Sequence, residues 1–81
     1  MNYTIDGTTY YIERGHLHRD DGPAVINADY QEWYRHGQLD RRDGPARLFR
    51  KTHIVEFWFN GNFMMTGEIT DQNKWDIWWI K

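Results

Sequence analysis

The chain has no cysteine and no serine. Without Cys there is no disulfide framework, no thiol nucleophile and no Cys-based zinc site. Without Ser the commonest nucleophile triads are excluded. No Gly-rich phosphate loop is present, and among its 12 acidic residues no carboxylate pair stands out, so neither an enzyme nor a cofactor is expected. No apolar run approaches the ~20 residues that a membrane-spanning helix needs. The opening Met1-Asn2-Tyr3-Thr4-Ile5-Asp6 lacks the basic-then-apolar order of a secretory leader. A cytoplasmic location without membrane contact is the expectation. An excess of one charge is missing too, since the net charge is −2 and the isoelectric point about 6.0. That balance disfavours nucleic acid, whose small binding domains are usually basic.

Proline is scarce, and both copies fall in the same motif. Gly15–Ala24 (GHLHRDDGPA) and Gly37–Ala46 (GQLDRRDGPA) share the pattern G-x-L-x-R-x-D-G-P-A, with Gly15 and Gly37 22 residues apart. Repetition at a fixed period means that each copy is one supersecondary unit, unable to bury its apolar face alone. Counting back from each glycine, Tyr11-Ile12, Trp33-Tyr34 and Phe57-Trp58 recur in register before Gly15, Gly37 and Gly61. After Gly61 the motif decays, as a terminal cap does. The chain is thus read as one domain with a partial unit at 2–14, full units at 15–36 and 37–60, and a degenerate cap at 61–81.

Each unit reads as a β-hairpin. Asp21-Gly22-Pro23 and Asp43-Gly44-Pro45 are turn chemistry, with glycine expected at positive φ and proline setting the exit direction. Arg19 and Arg41 stand two residues before Asp21 and Asp43, where charge-assisted hydrogen bonds would brace the turn. Six strands are expected, at 2–5, 8–13, 24–28, 31–36, 46–50 and 54–60, in a single twisted antiparallel sheet. Alternation places Ala24 and Ile26 on one face and Ala46 and Leu48 on its echo. Beyond Thr70 the stripe Trp75, Trp78, Trp79 predicts a short capping helix, with a strand carrying Trp75, Ile77 and Trp79 as the rival reading. The His16-x-His18-x-Asp20-Asp21 string has metal-like spacing. The second unit does not repeat it, so surface or hairpin-packing histidines are the expectation and a metal site is not.

Charge is unevenly spread. Residues 1–34 are mostly acidic, whereas 35–51 hold Arg35, Arg41, Arg42, Arg47, Arg50 and Lys51 against Asp40 and Asp43. Cross-strand pairing between units is the simplest outcome. A binding face for an acidic protein, or for nucleic acid stacked on Trp33-Tyr34-Arg35 and Phe49-Arg50, is the sharper one.

These blocks, each leading to an aromatic pair and the next glycine, resemble the MORN-variant repeats of bacterial and phage proteins. The resemblance covers roughly residues 3–67 and is closest over 15–49; Asp40 stands where the family usually has His, and Tyr30 where it often has Gly. It implies stacked hairpins in one elongated sheet and a role in protein binding rather than catalysis. It further implies a small modulator that inhibits a host defence or regulatory protein. The expected contact residues are the exposed-type aromatics and arginines Trp33, Tyr34, Arg35, Arg47, Arg50, Trp58, Trp78 and Trp79. Two open sheet edges also favour a homodimer. Nucleic-acid binding through the basic 35–51 hairpin is the alternative.

Overall fold

The computed structural model describes residues 1–70. Among these residues ten strands run in chain order: β1 (Asn2–Ile5), β2 (Thr8–Glu13), β3 (His16–Leu17), β4 (Val25–Ile26), β5 (Tyr30–Glu32), β6 (Tyr34–Arg35), β7 (Gln38–Leu39), β8 (Arg47–Phe49), β9 (Ile54–Phe59) and β10 (Asn62–Glu68). All pairings are antiparallel, and the main sheet has the order β1-β2-β4-β5-β8-β9-β10. The short β3 extends β2 as a hairpin, and β6 with β7 forms a separate two-stranded sheet. Among the described residues there is no helix, and so none that is long and apolar enough to cross a membrane. The expected C-terminal helix lies outside the described residues.

The mainly β, antiparallel expectation holds, but the strand count was too low and one sheet becomes two. The reason is the dipeptide before each unit. Asp6-Gly7, Arg14-Gly15, His36-Gly37 and Asn60-Gly61 all have positive φ at both residues, between 50° and 81°. Two positive-φ residues in a two-residue loop make a type I′ hairpin, the turn that matches strand twist. The chain therefore folds straight back: the segments after Gly15 and Gly37, where no strand is expected, become β3 and β7, and the start of the expected cap becomes β10. The strand expected over 31–36 also breaks at Trp33, whose amide donates to the Ala46 carbonyl at 2.7 Å before β6 leaves to pair with β7.

The register aligns side chains into rungs across the main sheet. One rung runs Thr4, Thr9, Ile26, Gln31, Leu48, Val55, Gly67. Its centre, with Ala24, Ala46, Pro23 and Pro45, is the buried core, and Val25 is buried beneath the opposite face. The next rung runs Tyr3, Tyr10, Val25, Glu32, Arg47, Glu56, Thr66, and presents its side chains to the opposite face.

The expectation that Gly22 and Gly44 hold positive φ is overturned; neither does. A Cβ at Gly22 would lie 2.8 Å from Arg19 Cζ, and one at Gly44 2.9 Å from Arg41 Cζ. These glycines are small because an arginine lies across them, not because the turn is left-handed.

Candidate functional site

Every shared residue of the repeat has a structural task. Arg41 Nε donates to Asp43 Oδ1 and its NH1 to the Pro45 carbonyl, both at 3.1 Å, while its guanidinium lies 3.8 Å over the Trp33 ring. Arg19 repeats this with Asp21, the Pro23 carbonyl and the Tyr11 ring, at 3.1, 3.1 and 4.0 Å. The stacked cation thereby holds the loop Asp-Gly-Pro against the aromatic of the preceding strand. Leu17 and Leu39 offer their carbonyls to the next hairpin turn: Gly37 N–H donates at 2.8 Å to Leu17, and Gly61 N–H at 2.9 Å to Leu39. The alanines Ala24 and Ala46 are fully buried.

The position between that leucine and the arginine is His18 in one unit and Asp40 in the other, yet both act alike. His36 N–H donates to His18 Nδ1, and Asn60 N–H to Asp40 Oδ1, each at 2.9 Å. A side-chain acceptor here latches the turn of the following unit, and either residue type supplies it. His18 Nδ1 is an acceptor, so the ring proton sits on Nε2, which donates to Asp20 Oδ1 at 3.0 Å. Both ring nitrogens are thus occupied within the hairpin junction. The His18 ring also packs on His36 at 4.5 Å between centroids.

Among the described residues, grooves that repeat with the chain lie along the edge formed by these loops, and three of them concern the repeat. The first is lined by Tyr11, Glu13, His18, Arg19, Asp20 and Asp21. Advancing each by 22 gives Trp33, Arg35, Asp40, Arg41, Arg42 and Asp43, all of which line the second. The third, of about 550 Å³, uses Arg41 to Gly44 from the same loop together with Phe57, Trp58, Phe59 and Met64. An aromatic floor and a braced Arg–Asp loop belong to the frame. What changes is the wall: Glu13, Arg35, Phe59 at one place and His18, Asp40, Met64 at another. The row passes from acidic, through mixed charge, to apolar.

The residues singled out from sequence divide between several places. Trp33 and Arg35 line the second groove, and Trp58 the third. Arg35 lies 3.7 Å from Asp40 and 3.8 Å from Asp20, tying neighbouring units. Arg47 is on the other face, clamped between Glu32 at 2.9 Å and Glu56 at 3.1 Å. Trp58 Nε1 donates to that same Glu56 at 3.0 Å. Burial pushes the Glu32 carboxyl above its ordinary range against the opposing pull of Arg47. Tyr34, hydrogen-bonded to Glu32, is raised by its own burial first and by the Glu32 charge second. Arg50 is exposed at the opposite end of the sheet, where its backbone N–H donates to the Asp29 carbonyl at 2.8 Å and its NH1 to Ala28 at 3.4 Å. Trp78 and Trp79 lie outside the described residues. Within the basic block, Arg47 pairs across strands and Arg35 across units, whereas the Arg41 pair lies within its own loop.

Sequence reasoning passed over Arg42, Phe59 and Met64 as binding residues. The signal that finds them is the comparison of units with each other: they occupy places where the units disagree. Among the described residues, no set of three or more His, Asp or Glu side chains is arranged to hold a metal ion. Neither a protein-family model, nor a curated protein, nor a solved structure matches this chain.

Proposed function

We propose that this chain is a non-enzymatic protein-binding module of the MORN-variant kind, and that the row of three grooves is its docking surface. One observation carries the reading. The residues common to the units are consumed in turns, braces and core and supply the loops of the grooves, whereas Glu13, Arg35 and Phe59, which differ between units, stand at equivalent places in the groove walls. A frame that is held constant while its walls vary is organised for recognition. Arg, Trp, Tyr and Phe, the residue types enriched in binding hot spots, recur along the row. Nucleic acid is a poorer match, because Arg35, Arg41 and Arg47 each face a carboxylate within 4 Å. Following the family resemblance, the partner is a host defence or regulatory protein inhibited by occlusion.

The test is a pull-down from bacterial lysate, run with and without nuclease and at two salt concentrations. A discrete stoichiometric protein that survives nuclease, and is lost when groove residues Arg35 and Arg42 are reversed to Glu, supports the reading. Retention that vanishes with nuclease and falls steeply with salt, as counterion release demands, would replace it with nucleic-acid binding.

A further inference from the structure

Resting on the binding-module reading, we infer that the third groove is the anchoring end of the row, and that it takes a partner segment in which a large apolar side chain stands beside a carboxylate. The walls argue for the apolar part. Where the second groove has Arg35 and Asp40, the third has Phe59 and Met64, and it is the roomier of the two, at about 550 against about 290 Å³. Phe59 is 39% exposed and Met64 62% exposed, large apolar surface left open among the described residues. An unbranched thioether beside aromatic rings adapts to more than one apolar shape.

Arg42 argues for the carboxylate. Its guanidinium lies 5.0 Å over the Phe59 ring at an exposed position, a cation–π contact that places a positive charge at the mouth of the apolar groove. Among the described residues, ion pairs engage Arg19, Arg35, Arg41 and Arg47 but not Arg42. A planar guanidinium held on an aromatic face is suited to bidentate recognition of a carboxylate. The equivalent place in the first unit is Asp20, already paired with His18. A basic segment would meet like charge at Arg42 and opposite charge at the first groove, so the two ends of the row select opposite ends of a partner.

The experiment is selection of a displayed random-peptide library on the full chain, with sedimentation run in parallel. Enriched peptides are expected to carry Asp or Glu within two residues of Trp, Phe or Leu. Their affinity should fall about tenfold or more with Arg42→Glu and with Met64→Asp, the loss of roughly one charge-assisted or buried apolar contact. Glu13→Gln in the first groove should leave it unchanged, and both groove variants sit at exposed positions that leave the fold intact by circular dichroism. Peptides that are basic, or that bind both variants as well as the wild type, would overturn the assignment of this groove while leaving a binding module standing. A concentration-dependent dimer abolished by Met64→Asp would overturn it in favour of a second copy. No enrichment, together with no captured protein, would end both readings.

Discussion

Replacing Asp40 by Ala tests the latch between units most directly. Asp40 is 4% exposed, and its Oδ1 accepts the Asn60 N–H at 2.9 Å in a turn where Asn60 and Gly61 both have positive φ. Alanine leaves that donor without its acceptor, a loss of about 1–2 kcal/mol for a partly buried backbone group. The longer contact of Oδ2 with the half-exposed Arg35, at 3.7 Å, adds little, because water screens such pairs. A total near 1.5 kcal/mol corresponds to a fall in melting temperature of about 6–12 °C for a domain of this size. Asp40→Asn keeps an oxygen in place and should cost about 0.5 kcal/mol or less. His18→Asp, which copies the second unit into the first, should be close to neutral, whereas His18→Ala should cost about 1 kcal/mol. Thermal and urea melts measure these differences, and hydrogen exchange at the Asn60 and His36 amides localises them. If Asp40→Asn were as damaging as Asp40→Ala, charge rather than hydrogen-bond acceptance would be the operative property. A melting temperature unmoved by Asp40→Ala would refute the latch.

The two kinds of glycine should separate in the same assay. Gly37→Ala forces a side chain to φ +81° and should cost about 1–2 kcal/mol in any background. Gly44→Ala should cost a similar amount only while Arg41 is present, since its Cβ would strike Arg41 Cζ at 2.9 Å; undiminished damage in an Arg41→Ala background would refute the packing account. Arg47→Met leaves Glu32 and Glu56 facing each other half-buried, so it should destabilise by about 1–3 kcal/mol at neutral pH and recover on acidification. Burial raises the Glu32 carboxyl above 4.5, so its contribution is fully present below pH 4.5 and is lost as pH rises through the raised value. The stability of the wild type relative to Glu32→Gln should therefore decline from acidic to neutral pH in urea titrations; a constant difference would show that Arg47 offsets the desolvation, and a rising one that it outweighs it.

Much of the frame was legible because its causes are local. A 22-residue period, alternation within strands and an Asp-Gly-Pro beside an arginine announce a repeated β-hairpin, and the Arg19–Asp21 and Arg41–Asp43 braces join residues only two apart. The x-Gly dipeptides are as local, yet the six expected strands leave the segments after Gly15 and Gly37 unassigned. Attention to the proline motif assigned positive φ to Gly22 and Gly44, when it belongs to Gly15 and Gly37.

The remainder is a matter of which units touch. That Trp33 leaves its strand, that Arg41 settles on that same ring, and that His18 and Asp40 do one job all follow from hairpins stacking in register. Tertiary structure alone also sent Arg47, expected to bind, into a carboxylate clamp and set Phe59 and Met64, which were not, in an open wall. A side chain's type and spacing determine which turn or strand it favours, because those preferences act within a few bonds. Whether its charge is neutralised or its apolar surface covered depends on the neighbour that the sheet brings alongside, here about 20 residues away in sequence and one strand spacing of about 4.8 Å away in space.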